Sequence, residues 1–315
     1  MGKRILFLDT THPVLPQMLE DAGFICEHFY SLDRGEALAA IGGFNGLITR
    51  SKFTIDKEFI DKAANLQFIG RVGAGMENID VDYARSRQIL CFNAPEGNRD
   101  AVAEHTTGML LALTNNLLIA DREVRRGLWK REENRGTEIG GKTIGIIGYG
   151  NMGTAFAKRL TGFGVNVIAY DKYKTGFGNN RVEEVTMDDL FRRADIVSLH
   201  LPLTEETGNL VNDEWLSAFS KKIILINTSR GRIVNTAALV KALKNNTVTG
   251  ACLDVLEYES SSFENLYNKN LPSGFDFLIK SDKVVLSPHI AGWTHESNRK
   301  LAEVIATKII ARFKQ

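Results

Sequence analysis

Short apolar, β-branched runs alternate with helix-like patterns along the whole of this chain, and that alternation admits few folds. Strand signals fall at Arg4–Leu8, Ile25–Phe29, Gly46–Thr49, Phe68–Arg71 and Ile89–Phe92. Helical spacing lies between them, as over Ile55–Asn65, where Phe59, Ile60, Ala63 and Ala64 share a stripe. A long helix is expected from about Asp100 to Asn116. A second series follows: strand 143–147, helix 151–163, strand 165–170, helix 188–193 and strand 196–200. It continues with strand 223–227, helix 236–244, strands 248–253 and 284–287, and a final helix over Glu296–Phe313. This order predicts an α/β protein built on parallel sheets covered on both faces.

At 315 residues the chain suits two domains rather than one. The expectation is two doubly wound parallel-sheet domains of Rossmann or flavodoxin type with a cleft between them. The last helix has no place in the second series, so it returns to the first. The first domain is then discontinuous, residues 1–98 with 289–315, and the second occupies 99–288. The polar stretch Glu257–Asp282 reads as a long loop.

The sharpest motif is TIGIIGYGNMGTAFAKRL, residues 143–160. GYGNMG fits G-x-G-x-x-G, follows a strand and opens a helix, the context a dinucleotide site demands. Gly148 permits the turn, Gly150 lets the backbone approach a pyrophosphate, and Gly153 lets the helix pack on the strand. Asn151 and Met152 fall in the same turn, where helix N–H groups face the phosphates. The next strand, VNVIAYD, ends in Asp171, and 171 − 153 = 18 residues after the last glycine. A carboxylate there accepts from the adenosine ribose and repels a 2′-phosphate, which favours NAD over NADP, with Lys172 and Lys174 tempering the exclusion.

Bulk properties narrow the classes further. A hydrophobic fraction of 43% and a charged fraction of 24% are ordinary for a soluble domain. A formal net charge of +1 argues for neither a nucleic-acid nor a membrane partner. No signal pattern precedes the first strand, and the apolar stretch around Gly108–Ala120 is too short to span a bilayer. Cys26, Cys91 and Cys252 lie apart inside apolar segments, with no metal-ligand spacing. They read as buried small hydrophobes of a reducing, cytoplasmic compartment.

Three further strands end in polar groups: IILINTSRGRIV, GACLDVLEYES and VVLSPHIAG. Ligands of open α/β sheets bind beyond the carboxyl ends of strands. Arg230, Asp254 and His289 fall there, with Glu259 close behind. Arg230 suits bidentate binding of a carboxylate. His289 suits exchange of a hydroxyl proton, with Glu259 stabilising the imidazolium. Taken singly, each has a commoner structural role; their conjunction behind a well-placed glycine motif points to oxidation of an alcohol beside an anionic group. His200 reads as structural, lining the cofactor cleft, while His12, His28, His105 and His295 have no comparable context.

These residues, with GRVGAGMENID, NAPEGNRDAVAEHT, GKTIGIIGYGNMG, VSLHLPLTEET, LINTSRGRIVN, ACLDVLEYE and LSPHIAG, resemble the D-isomer-specific 2-hydroxyacid dehydrogenase family over nearly the whole chain. The resemblance implies an NAD-dependent oxidoreductase acting on CH–OH donors, usually a homodimer. It assigns Arg230 to substrate binding and carbonyl polarisation, Glu259 as the acid, His289 as the catalytic base and Asp254 to orienting the nicotinamide carboxamide. Leu201, Thr228 and Gly292 would border the cofactor, and the backbone of Val72, Gly73, Ala74 and Gly75 would bind the substrate carboxylate.

Within the family the chain resembles the D-3-phosphoglycerate dehydrogenases of serine biosynthesis, which oxidise 3-phosphoglycerate to 3-phosphohydroxypyruvate. TRSKFT, 49–54, makes Arg50 the candidate phosphate ligand, and RRGLWKR, 125–131, resembles an arm whose tryptophan, here Trp129, packs across a dimer. The alternatives are reduction of hydroxypyruvate, glyoxylate or another 2-keto acid, and, in a different class, an NADH-sensing corepressor-like protein. The sequence departs from the family pattern at Ser260, where proline commonly follows the acid, and in the long loop 260–282. It ends at Gln315 without a C-terminal regulatory domain, so serine feedback through one is not expected.

Overall fold

The computed structural model describes residues 2–259 and 273–313. The described chain separates into two units, one of residues 2–99 with 293–313, the other of 100–259 with 273–292. The segment 289–292 groups with the second unit, beyond the expected crossing at 288. The reason is local: His289 N–H donates to the Asp254 carbonyl, and the N–H groups of Ile290 and Ala291 donate to its carboxylate.

The first unit carries a five-stranded parallel sheet of β1 (Arg4–Phe7), β2 (Ile25–His28), β3 (Gly46–Thr49), β4 (Phe68–Arg71) and β5 (Leu90–Phe92), in the order β2-β1-β3-β4-β5. That is the flavodoxin order. Central β3 is buried throughout, so its run does not alternate apolar with exposed polar residues, and its one polar side chain, Thr49, closes it at the end. Gly46 opens it because a Cβ there would stand 2.1 Å from the Phe68 ring.

The C-terminal helix His295–Phe313 belongs to this unit. Its buried face, Leu301, Ala302, Ile305, Ala306 and Ile309, packs with Ile5, Phe7, Ile48 and Phe68. Each fully buried isoleucine contributes about 1.5–3 kcal/mol. Gly97 lets this helix approach the helix Pro95–Thr114, since a Cβ at Gly97 would lie 2.6 Å from Leu301 N. Lys308 fastens the contact through Glu96 (2.9 Å) and the Asn93 carbonyl (2.9 Å).

The second unit carries a seven-stranded sheet. Its strands are β6 (Thr143–Ile147), β7 (Asn166–Tyr170), β8 (Glu183–Glu184), β9 (Ile196–Leu199), β10 (Ile223–Asn227), β11 (Val248–Leu253) and β12 (Val284–Leu286). The order β12-β11-β10-β9-β6-β7-β8 is all parallel. Its direction of progression reverses between β6 and β9, the switch point at which such sheets bind ligands.

Several expected bounds shift. The long helix begins at Pro95 rather than Asp100, because proline suits a first helical position. It ends at Thr114, and Asn116 adopts φ 54° before a separate helix, Leu117–Arg125. Asparagine is among the few residues that tolerate this left-handed conformation. Part of the expected long loop is helix, Ser273–Lys280, with Phe275 and Leu278 buried. The rest of that loop, 260–272 including Ser260, lies outside the described residues. No helix among the described residues is long and apolar enough to cross a membrane.

Candidate active site

The glycine turn follows β6. Gly148 has φ 90°, and a Cβ on it would stand 2.4 Å from the His200 carbonyl oxygen. Gly153 is closed in the same way, its Cβ position 2.1 Å from the Gly148 carbonyl oxygen. Gly150 differs: it caps the helix Asn151–Arg159 and nothing lies within 4 Å of its Cβ position. A cradle open at the middle glycine, with the N–H groups of Asn151, Met152 and Gly153 at the helix start, suits a pyrophosphate. Leu201 comes within 3.1 Å of the Gly148 Cβ position.

Asp171 stands at the end of β7, beside this cradle. Its Oδ2 accepts from Tyr149 N–H at 2.8 Å, and its Oδ1 accepts from Tyr173 N–H at 2.9 Å and Lys174 N–H at 3.1 Å. A carboxylate has about four acceptor sites, so capacity for a ribose hydroxyl remains. The two lysines that follow have other partners. Lys172 pairs with Glu206, which also accepts from the Tyr173 hydroxyl at 2.9 Å, and Lys174 Nζ donates to the Tyr149 carbonyl at 3.4 Å.

The polar strand ends form one network. His289 Nδ1 lies 2.7 Å from Glu259 Oε2, while Glu259 Oε1 accepts the Leu256 N–H. Asp254 is only 1% exposed, and its carboxylate accepts from Ser287 Oγ (2.6 Å), Ile290 N–H (2.9 Å) and Ala291 N–H (2.8 Å). His105 Nε2 reaches Ser287 Oγ at 2.9 Å and stands 3.6 Å from Asp254 Oδ1. His105, whose sequence surroundings mark no role, thus joins the network, because the helix Pro95–Thr114 brings it to the strand ends. Nearby, Thr106 Oγ1 meets Thr228 Oγ1 at 3.1 Å.

Arg230 leaves β10 through a turn built by Asn227, which is fully buried. Asn227 Nδ2 donates to the Arg230 carbonyl at 2.9 Å, and its Oδ1 accepts from Ser229 N–H and Oγ. Arg230 itself donates to the Ser229 carbonyl at 2.7 Å. Gly231 is required where it stands, because a Cβ there would lie 1.9 Å from the Leu256 carbonyl oxygen. The turn bearing Arg230 thus packs directly on the segment between Asp254 and Glu259.

His200 ends β9, with its Nε2 2.9 Å from Ser198 Oγ and its ring against Phe156. Burial pushes its imidazole down to about 4, so it is neutral near pH 7. The cysteines are free; Cys252 is buried but Cys26 and Cys91 are only half-buried, since each lies on an outer strand of its sheet. Burial still pushes Cys91 up to about 11 and Cys26 to about 12.

In the first unit, Arg50 follows β3. Its N–H donates to Asp9 Oδ2 at 2.6 Å, and its carbonyl accepts from Arg71 Nε at 3.1 Å and Asn78 Nδ2 at 3.4 Å. Its guanidinium carbon lies 4.5 Å from the ring centre of Trp293. In the loop after β4, Val72 N–H donates to the Thr49 carbonyl and Gly73 N–H to the Arg71 carbonyl. Those two groups are therefore already engaged, Val72 on the end of β3 and Gly73 on the end of β4, while no bond to a described residue is seen for the N–H groups of Ala74 and Gly75. Gly73 also makes room for the Arg71 guanidinium, which a Cβ would meet at 1.4 Å.

A glycine cradle at a sheet switch point, an acid closing the next strand, and a histidine–carboxylate pair at neighbouring strand ends define a nucleotide-dependent dehydrogenase. The chain belongs to the D-isomer-specific 2-hydroxyacid dehydrogenase family, whose NAD-binding domain matches residues 107–291. It is 40% identical over 288 residues to a glyoxylate reductase of Thermofilum pendens, covering 89% of this chain and 82% of that one. It is 36% identical over 281 residues to a D-3-phosphoglycerate dehydrogenase of Archaeoglobus fulgidus, covering 89% of this chain but 51% of that longer protein. Among solved structures, D-lactate dehydrogenase from Aquifex aeolicus complexed with NAD and lactic acid superposes with a TM-score of 0.82 at 27% identity, over 99% of this chain and 96% of that one.

Proposed function

We propose that this enzyme interconverts a D-2-hydroxy acid and its 2-keto acid, with proton exchange at His289. The observation that carries the reading is the 2.7 Å contact between His289 Nδ1 and Glu259 Oε2. With Nδ1 held by a carboxylate, exchange with the substrate hydroxyl falls to Nε2. In oxidation, Nε2 takes the hydroxyl proton as the hydride leaves the same carbon, and Glu259 stabilises the imidazolium. Arg230 binds the substrate carboxylate and polarises the forming carbonyl. NAD, when bound, supplies the hydride acceptor and, reduced, the hydride donor. The glycine cradle would hold its pyrophosphate and Asp171 its adenosine ribose.

For the substrate we assign 3-phosphoglycerate. Arg50 supports this, as a cation at the carboxyl end of β3 with no carboxylate partner among the described residues. Reduction of glyoxylate or hydroxypyruvate is the second reading, supported by the glyoxylate reductase likeness over most of both chains. Initial rates with 3-phosphoglycerate and NAD, and with glyoxylate, hydroxypyruvate and pyruvate with NADH, decide between them. A kcat/KM for 3-phosphoglycerate below that of the small keto acids in their own direction would remove the first.

A homodimer completes the proposal. Leu117, Leu118, Val124, Leu128 and Trp129 are exposed large apolar residues on one short stretch, with Trp129 78% exposed. Such a patch suits a partner surface, and a second copy is the occupant we assign. Sedimentation of wild type and of Trp129→Glu tests it; a wild-type monomer at micromolar concentration would exclude it.

A further inference from the structure

Trp293 is 65% exposed, yet its backbone leads into a closed helix cap and its indole meets a cation. Its backbone immediately precedes a closed helix cap: Thr294 N–H donates to Ser297 Oγ (2.9 Å), and Ser297 N–H donates to Thr294 Oγ1 (3.0 Å). Its ring carries the Arg50 guanidinium at 4.5 Å. Arg50 is fixed in its turn, with its N–H on Asp9, its carbonyl under Arg71 and Asn78, and the Thr49 hydroxyl on the same Asp9 oxygen at 3.0 Å. Asp9 is thereby engaged by the backbone of Arg50 and the neighbouring hydroxyl. Among the described residues no carboxylate meets the guanidinium.

A guanidinium attracts an aromatic ring through its face and binds oxyanions through the N–H groups in its plane. The Trp293 ring attracts the charge of Arg50 but offers its N–H groups no oxyanion, so those donors are left for an anion. We propose that Trp293 is a specificity-determining residue, which holds Arg50 ready for the distal anionic group of the substrate. This rests on the assignment of Arg50 to that group. It deepens the assignment by making preference for a distally anionic substrate a property of the pair. The indole acts through the arginine, so it is a positioning residue and takes no part in proton or hydride transfer.

The test is a double-mutant cycle on Arg50→Ala and Trp293→Ala, with Trp293→Phe as the conservative variant. Each is assayed with 3-phosphoglycerate, with oxaloacetate (a distal carboxylate) and with glyoxylate (no distal group). Trp293→Ala is expected to raise KM for the distally anionic substrates about 2- to 30-fold, the range of a cation–π contact. It should leave their kcat, and all glyoxylate parameters, within about twofold. Trp293→Phe should recover most of the loss, and Trp293→Ala should add nothing once Arg50 is alanine. An equal loss on glyoxylate, or additive effects in the cycle, would overturn the role of Trp293. If the wild type uses oxaloacetate but not 3-phosphoglycerate, the phosphate assignment fails, while the expected split on oxaloacetate would support the pair. Use of neither distally anionic substrate overturns both.

Discussion

Asp254 holds His289 in a left-handed backbone conformation, φ 56°, that a histidine seldom adopts. Its carbonyl accepts the His289 N–H at 2.7 Å, and its carboxylate accepts the next two N–H groups and the Ser287 hydroxyl. A non-glycine residue in this region costs of order 1–3 kcal/mol and persists only where its surroundings over-determine it. Here Asp254 supplies such restraints through both its backbone carbonyl and its buried carboxylate. The same turn aims the imidazole at Glu259, so backbone strain and side-chain pairing have a common origin.

Replacing Asp254 by asparagine tests that relation. An amide offers one oxygen and one NH2 where the carboxylate offers two acceptors, so an N–H of Ile290 or Ala291 loses its partner. Leaving a buried donor unsatisfied costs about 1–3 kcal/mol. Asp254→Asn should therefore lower the melting temperature and reduce kcat on any accepted substrate, with NADH still bound. Unchanged kcat in a folded variant would mean that the turn does not depend on the carboxylate.

The histidine and its carboxylate should separate by the size of their effects on kcat. His289→Ala should cost about 10²–10⁴ in kcat, the usual contribution of a positioned acid/base, while retaining NADH binding. Glu259→Gln should lower kcat by less than His289→Ala does and leave NADH binding intact, because the imidazolium formed in oxidation loses its opposite charge while Nε2 can still take the proton. An unchanged kcat would remove Glu259 as the stabilising partner.

The periodic part of this fold was legible from the chain. β3, β4, β6, β10 and β11, and the helix Thr236–Lys244, stand where apolar runs and spacing put them. What was hidden depends on side chains meeting across elements. His105 lies far in sequence from Ser287 and Asp254, and no local pattern marks it. Asp9 and Asn227 look like ordinary polar residues at strand ends until their bonds to Arg50 and to the Arg230 turn are seen. The helix Ser273–Lys280 is short and stands in a largely polar stretch, where Phe275 and Leu278, its buried anchors, make too brief a pattern to mark it. Trp293 follows SPHIAG directly, but only the arginine beneath it gives the indole a use.

Cofactor choice should follow Asp171 and, through it, Glu206. A 2′-phosphate near Asp171 sets two negative charges against one. At about 4 Å in water each costs about 1 kcal/mol, together roughly a 30-fold preference for NAD over NADP in kcat/KM. Lys172 does little to relieve this while it is paired with Glu206. Asp171→Ser should narrow the preference, and adding Glu206→Gln should narrow it further by releasing the lysine. Equal kcat/KM for the two cofactors in the wild type would contradict the assignment of Asp171.

His200 gives the stability of the fold a dependence on pH. In the folded protein its imidazole is pushed down to about 4 from an ordinary 6.5, because burial penalises the charged ring. Above pH 6.5 the ring is neutral in both folded and unfolded chains, so it adds no slope. Between 6.5 and 4 the unfolded chain takes up a proton that the folded chain does not. Stability therefore falls as pH drops through that window, by up to tenfold in the folding equilibrium for each pH unit. Below about 4 both forms are protonated and the slope from this group vanishes. Carboxylates titrate in part of the same range, so the comparison must be between variants rather than within one curve. His200→Asn keeps a neutral polar group beside Ser198, whose hydroxyl lies 2.9 Å from the wild-type ring, and removes the titration. Urea unfolding at pH 7, 6 and 5 should show the wild type losing stability faster than His200→Asn, with a difference of about one proton between the slopes. Parallel curves would mean that the ring is solvated enough to protonate in the folded state.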